Sequence, residues 1–182
     1  MAHRAGTAGS RSRRTAVAAV PVLLVAGVQA LAACRSVEPP PAPCPAQGRV
    51  VRVHAPSHSL FLCRDGRAEA RYRVALGRGG MDKRVEGDER TPTGRYPLGA
   101  PRPSTPFHRF VPVGYPTAAQ RAEGRTGGAI GIHGPDRRAR LLGPLTTWVD
   151  WTAGCIAVGS DADVDRIAEW TTAAGASSIV IE

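Results

Sequence analysis

Gly128-Ala-Ile-Gly-Ile-His-Gly-Pro135 and, fifteen positions on, Asp150-Trp-Thr-Ala-Gly-Cys-Ile-Ala-Val158 are the two stretches on which the reading of this chain turns. Ala129 to Ile132 is a short apolar run that ends in His133 and Gly134-Pro135, the pattern of a strand giving way to a loop. Cys155 stands between Gly154 and the apolar Ile156-Ala157-Val158, where a loop re-enters a strand. A thiol attacks as thiolate, and a histidine within reach is the usual means of removing its proton near neutral pH. Gly154 has no Cβ, which lets a substrate carbonyl approach the amides of Gly154 and Cys155, a candidate oxyanion hole. The same residues also fit a structural role, a buried thiol beside a packed histidine, and spacing does not separate the two readings.

Upstream, Thr91-Pro92-Thr93-Gly94 has turn chemistry, with proline at the second position and glycine where a positive φ is needed. Tyr96 and Leu98 then resume strand alternation. Val50 to His54 and Ser59 to Cys63 read as strands, Arg64-Asp65-Gly66-Arg67 as a hairpin turn, and Glu69 to Leu76 as the returning strand. Strands at this spacing predict a mainly β fold, a sandwich or barrel-like core. Gly77-Arg78-Gly79-Gly80 lacks the Gly-Lys-Ser/Thr of a phosphate loop and reads as a flexible loop. Thr117 and Gln120 form a capping box for a short helix over 118–123, and Ser160 to Asp163 opens a longer one with Val164, Ile167 and Ala168 inward. Ser178 to Ile181 is a final strand.

His133-Gly134, a variable loop and Thr152-Ala153-Gly154-Cys155-Ile156, together with Gly87-Asp88-Glu89-Arg90-Thr91-Pro92-Thr93-Gly94-Arg95-Tyr96, resemble the blocks of the L,D-transpeptidase (YkuD-domain) family. The resemblance covers about 49–182. Ala153 stands where many members have a second His and Ala157 where many have Asn or Arg, so the match is to a sub-branch with a Trp-Thr-x-Gly-Cys block. It implies a YkuD-like β-sandwich with short peripheral helices and a Cys155 nucleophile that forms a thioester with a peptidoglycan stem tetrapeptide. His133 would be the base, its tautomer held by the Gly134 carbonyl, and transfer would be to an amine. Neither a metal nor an organic cofactor is implied. Hydrolysis of the same thioester, as in an L,D-carboxypeptidase or amidase, and a non-catalytic wall-binding lipoprotein are the rival readings.

The segment from Asp136 to Trp151 is long for a connection and reads as a candidate lid. Arg137 and Arg138 are candidates for peptide carboxylates, with Trp151 and Thr152 as further substrate-binding candidates.

The N-terminus reads as an address. Arg4, Arg11, Arg13 and Arg14 precede an apolar run, Ala16 to Ala33, and Leu31-Ala32-Ala33-Cys34 resembles a lipobox, making 1–33 a lipoprotein signal peptide and Cys34 the lipidated residue. A retained anchor is the alternative, since ~18 apolar residues can span a bilayer. Residues 34–48, rich in proline, read as an extended tether. The expectation is an exported lipoprotein facing the periplasm or cell wall, its partners the membrane and stem peptides. The leader's four arginines leave +5 of the formal net charge of +9, and no aromatics interleave with a basic cluster as a nucleic-acid surface requires. Of four cysteines, Cys44 and Cys63 remain available for a disulfide, worth about 3 kcal/mol in the chain-entropy model.

Overall fold

The computed structural model describes Met1 and residues 44–182. The signal segment, Cys34 and most of the tether lie outside the described residues, and no helix among the described residues is long and apolar enough to cross a membrane.

Nine strands follow one another in a single hydrogen-bonded order, β4-β9-β1-β2-β3-β8-β7-β6-β5. They are β1 (Arg49–His54), β2 (Ser59–Arg64), β3 (Arg67–Ala75), β4 (Gly94–Pro97), β5 (Arg102–Ser104), β6 (His108–Pro112), β7 (Gly131–His133), β8 (Ile156–Val158) and β9 (Ser178–Ile181). The predicted sandwich is therefore one sheet curled on itself. β3 serves both halves, pairing along its length with β2 and at Val74 and Ala75 with β8. A bridge between Leu98 and Val113, just beyond β4 and β6, nearly closes the curl.

The first hairpins follow from local chemistry. Val50, Val51 and Val53 are β-branched and buried, and β1 pairs with β2 without a slip from Arg49↔Arg64 to His54↔Ser59. Asp65 and Gly66 both take positive φ, 45° and 84°, as a two-residue hairpin turn requires. Along β3, Ala70, Tyr72 and Val74 turn inward between exposed arginines, the period of two that fixes its register. The core joins the two halves through Leu60, Leu62, Val111, Ile132, Ile156 and Ile179.

Helix α1 (Ala118–Ala122) has both halves of the predicted capping box: Thr117 Oγ1 accepts from the Gln120 amide, and Gln120 Oε1 accepts from the Thr117 amide. Helix α2 (Asp161–Ala173) begins at Ser160, whose hydroxyl accepts from the Asp163 amide, and buries Val164, Ile167, Ala168 and Thr171 against the sheet. Each large aliphatic side chain so buried contributes roughly 1.5–3 kcal/mol.

One expectation needs correction, and two strands had no counterpart in the sequence reading. The Gly77–Gly80 segment is not a flexible loop but a tightly packed one. A Cβ on Gly77 would lie 2.3 Å from the Glu89 carbonyl oxygen, and one on Gly79 would lie 2.2 Å from that of Asp88. Strands β5 and β6 were illegible because Pro101, Pro103, Pro106 and Pro112 mask them. β5 forms an end of the sheet, where a missing N–H is tolerated, and Pro112 is the last residue of β6.

Candidate active site

β7 and β8 run parallel, with Ile132 beside Ile156 and His133 beside Ala157. Cys155 stands immediately before β8, two residues ahead of Ala157, so it lies beside the start of the strand that ends in His133. The Cys155 thiol lies over the start of β7, its sulfur 3.4 Å from the Ala129 carbonyl oxygen.

His133 is buried, at 1% exposure, and its Nδ1 donates to the Gly134 carbonyl oxygen at 2.7 Å. That bond leaves Nε2 as the lone-pair nitrogen. Phe107 stacks on the imidazole at 3.9 Å, and Trp151 meets it edge-on at 5.7 Å, its own indole N–H donating to the Thr146 carbonyl. Phe110, paired with His133 across β6 and β7, fits because Gly131 has no side chain: a Cβ there would lie 2.3 Å from the Phe110 ring.

This wall decides the charge state. Burial pushes the His133 pKa down to about 4, against smaller upward pulls from the Gly134 carbonyl and Asp136. Burial pushes the Cys155 thiol up, opposed by the Gly131 amide and the Lys83 charge. At neutral pH the resting pair is therefore thiol and neutral imidazole, not the thiolate that the sequence suggested.

Gly154 has a different reason to be glycine from the one inferred. Its φ is 121°, and a Cβ would lie 2.5 Å from the Arg90 carbonyl oxygen, so the chain needs the space itself. Its amide donates to Thr152 Oγ1 at 3.1 Å, and that hydroxyl donates to the Cys155 carbonyl at 2.8 Å. Thr152 is thus a buried turn residue, 3% exposed, and not a substrate contact. The Cys155 amide is left as the better oxyanion donor. Gly134 is packed as closely, since a Cβ would meet the Phe107 carbonyl oxygen at 3.0 Å.

Arg137 and Arg138 are exposed. Arg137 Nη1 donates to the Thr105 carbonyl at 3.4 Å, and the Arg138 amide donates to Asp136. The candidate lid is anchored. Residues 140–147 form a 3-10 segment kinked at Gly143, with Pro144 against Gly159, while Leu141, Leu142, Leu145, Trp148 and Val149 are exposed. Asp150 accepts from the Leu76 amide at 2.7 Å and contacts His58 at 3.1 Å, a structural duty outside the reactive pair.

Cys44 and Cys63 are joined by a disulfide, which fastens the end of the tether to β2.

Sequence reasoning missed the Asp88 knot and Phe107. Asp88 accepts from Lys83 Nζ and from the amides of Arg84, Val85 and Arg90. Burial alone would raise its pKa, but these donors hold the carboxyl well below the usual range. Lys83, the only lysine of the chain, is 3% exposed in this pair. A lone lysine five residues before an aspartate in a Gly/Arg-rich segment was the available signal.

Residues 48–181 match the family model described as the L,D-transpeptidase catalytic domain, YkuD. The chain belongs to the YkuD family. Solved structures share the fold of this YkuD domain. The helical cell shape determining protein Pgp2 from Campylobacter jejuni is 24% identical, with 74% of this chain and 47% of that chain covered and a TM-score of 0.58. Bd1075 from Bdellovibrio bacteriovorus is 22% identical, with 75% and 48% covered and a TM-score of 0.53. An L,D-transpeptidase from Xylanimonas cellulosilytica is 19% identical, with 78% and 64% covered and a TM-score of 0.50. This chain spans about half the length of the first two. No curated protein matches.

Proposed function

We propose that the YkuD domain is a peptidoglycan L,D-transpeptidase in which Cys155 and His133 carry the acyl transfer. The observation that supports this reading is the parallel pairing of β7, which ends in His133, with β8, which follows Cys155, together with the bond of His133 Nδ1 to the Gly134 carbonyl. With Nε2 free to accept a proton, attack and proton transfer occur together. The sulfur bonds to the carbonyl carbon of the third residue of a stem tetrapeptide, and the thiol proton passes to Nε2. The developing oxyanion is met by the Cys155 amide, an interaction typically worth about 3 kcal/mol. On collapse the terminal D-alanine leaves as the amine, taking the proton from the imidazolium. An acceptor amine then attacks the thioester, gives its proton to His133, and restores the thiol as the new amide forms. No step draws on a cofactor.

We also propose that the protein is exported and tethered through a lipid on Cys34. The Cys44–Cys63 bridge supports placement outside the reducing cytoplasm, and the apolar run ending in Leu31-Ala32-Ala33-Cys34 supports the anchor.

Intact mass after carbapenem treatment tests the nucleophile. One adduct is expected on wild type and on Cys34→Ala, and none on Cys155→Ala; an adduct that survives Cys155→Ala refutes the assignment. Product analysis on a stem tetrapeptide then reads the acceptor. Cross-linked dimer is the expected product, and free tripeptide alone would turn the assignment to a carboxypeptidase.

A further inference from the structure

Phe107, the ring stacked on His133, is flanked in the chain by Thr105-Pro106 and by His108. Thr105 and His108, with Ser104, Arg137, Arg140 and Asp161, line a cavity of about 260 Å3. Its walls are tied to the site. The Arg137 amide donates to the Pro106 carbonyl at 3.0 Å, and a Cβ on Gly134, the residue that holds the imidazole, would lie 3.2 Å from Asp161 Oδ1.

The charges of this cavity do not cancel. His108 Nε2 lies 2.8 Å from Asp165, which Arg109 also contacts at 2.5 Å, and Arg140 pairs with Asp161 at 3.2 Å. Arg137 touches only a neutral carbonyl, that of Thr105, and no carboxylate lies within ion-pair distance of it among the described residues. The hydroxyls of Ser104 and Thr105 make no hydrogen bond within the protein among the described residues. One guanidinium without a carboxylate partner and two hydroxyls thus line, with Asp161, whose buried Oδ1 has no hydrogen-bond partner, a cavity smaller than a whole-ligand pocket, which usually exceeds about 300 Å3.

We propose that this cavity is a carboxylate subsite, in which Arg137, assisted by Ser104 and Thr105, holds a free side-chain carboxylate of the peptide whose carbonyl Cys155 attacks. It rests on the acyl-transfer reading given above. A planar guanidinium offers a carboxylate two parallel hydrogen bonds, and the single unpaired charge suits a monoanion. Phe107 is the spacer: one residue from Pro106 and one from His108, it connects the occupied subsite to the imidazole by direct stacking. Arg137 is on this reading a specificity-determining residue. Arg140, its charge already met by Asp161, is secondary.

The test compares a stem tetrapeptide bearing its free side-chain carboxylates with the same peptide amidated at those carboxylates. Arg137→Ala should raise KM for the free-acid peptide by about tenfold or more, the loss expected for a hydrogen bond to a charged group, with kcat moved much less. It should leave KM for the amidated peptide unchanged. Arg137→Lys should recover part of the loss, and Arg140→Ala should do little. An equal rise for both peptides, or none for either, overturns the proposal. If no turnover is seen with any peptide, calorimetric binding of both peptides to Cys155→Ala gives the same comparison. Carbapenem acylation of Arg137→Ala, read by mass, separates a lost subsite from a lost nucleophile. Acylation as in wild type with selective loss of the free-acid peptide supports the subsite. Loss of acylation refers the defect to the reactive pair and overturns the subsite assignment.

Discussion

His133 with nearby Cys155, and Lys83 with Asp88, are two titratable pairs built on opposite rules: a buried imidazole near a half-buried thiol, and a closed ion pair. Asp88 is surrounded by one ammonium and three amides, so its charge is more than satisfied. His133 has one carbonyl on Nδ1, aromatic rings around it and no carboxylate in hydrogen-bonding contact, and Cys155 meets only the backbone of Ala129 and Gly131. A satisfied ion pair fixes backbone; in the proposed acyl transfer, an underpaired thiol and imidazole keep a proton ready to move. The knot also supplies the carbonyl of Arg90 that packs against Gly154, so the fixed region shapes the reactive one.

The contrast can be broken at its stronger side first. Asp88→Ala should leave Lys83 buried without its carboxylate, and the loss should be about 3–5 kcal/mol in urea unfolding. A loss under about 1 kcal/mol would mean that the knot is ornamental. The opposite side is read by pH. The folded His133 pKa, about 4, lies below its usual 6.5, so the native state binds fewer protons than the unfolded chain between those values. Stability is then fully present above about pH 6.5 and declines by about 3 kcal/mol as pH falls toward 4. His133→Gln should flatten that part of the pH–stability curve; an unchanged slope would place the titration elsewhere. Gly154→Ala sharpens the link between the two regions. Strained backbone should cost about 1–3 kcal/mol, with slower carbapenem acylation of the molecules that remain folded. In the rate itself, the raised thiol pKa predicts acylation that keeps increasing above pH 8, and a plateau reached below pH 7 would instead indicate a preformed thiolate. The smallest effect is expected for Phe107→Leu, which keeps the site apolar but removes the stacked ring, slowing acylation by about threefold to tenfold.

The fold was legible where one chemistry ruled each segment. Valines alternating in β1, the Asp65-Gly66 turn, the Thr117–Gln120 box and the strand at Ser178 all carry their instructions locally. β5 and β6 do not, because their prolines speak against strand and only their place at the end of the sheet permits it. The same limit applies at the site. His133, Gly134 and Cys155 stood in readable motifs, and the pairing of β7 with β8 brings the strand that ends in His133 beside the one that follows Cys155. Thr152 and Gly154 were read as facing substrate, since sequence shows a hydroxyl and a missing Cβ but not that each is used inside the turn. The neutral state of the pair depends on Phe107 and Trp151 closing over the imidazole, a long-range fact written in no single stretch.

The Cys44–Cys63 bridge has a mechanical consequence. Val50 pairs with Cys63, so the bridge fastens the incoming chain to the same strand pair that β1 must leave if it is pulled away. Tension arriving from the N-terminal side would otherwise peel β1 from Arg49 onward, one ladder bond at a time. With the bridge closed, force passes instead into β2, an interior strand flanked by β1 and β3, where many bonds must fail in shear together. A domain loaded from its N-terminal side is thereby given a grip that resists unzipping.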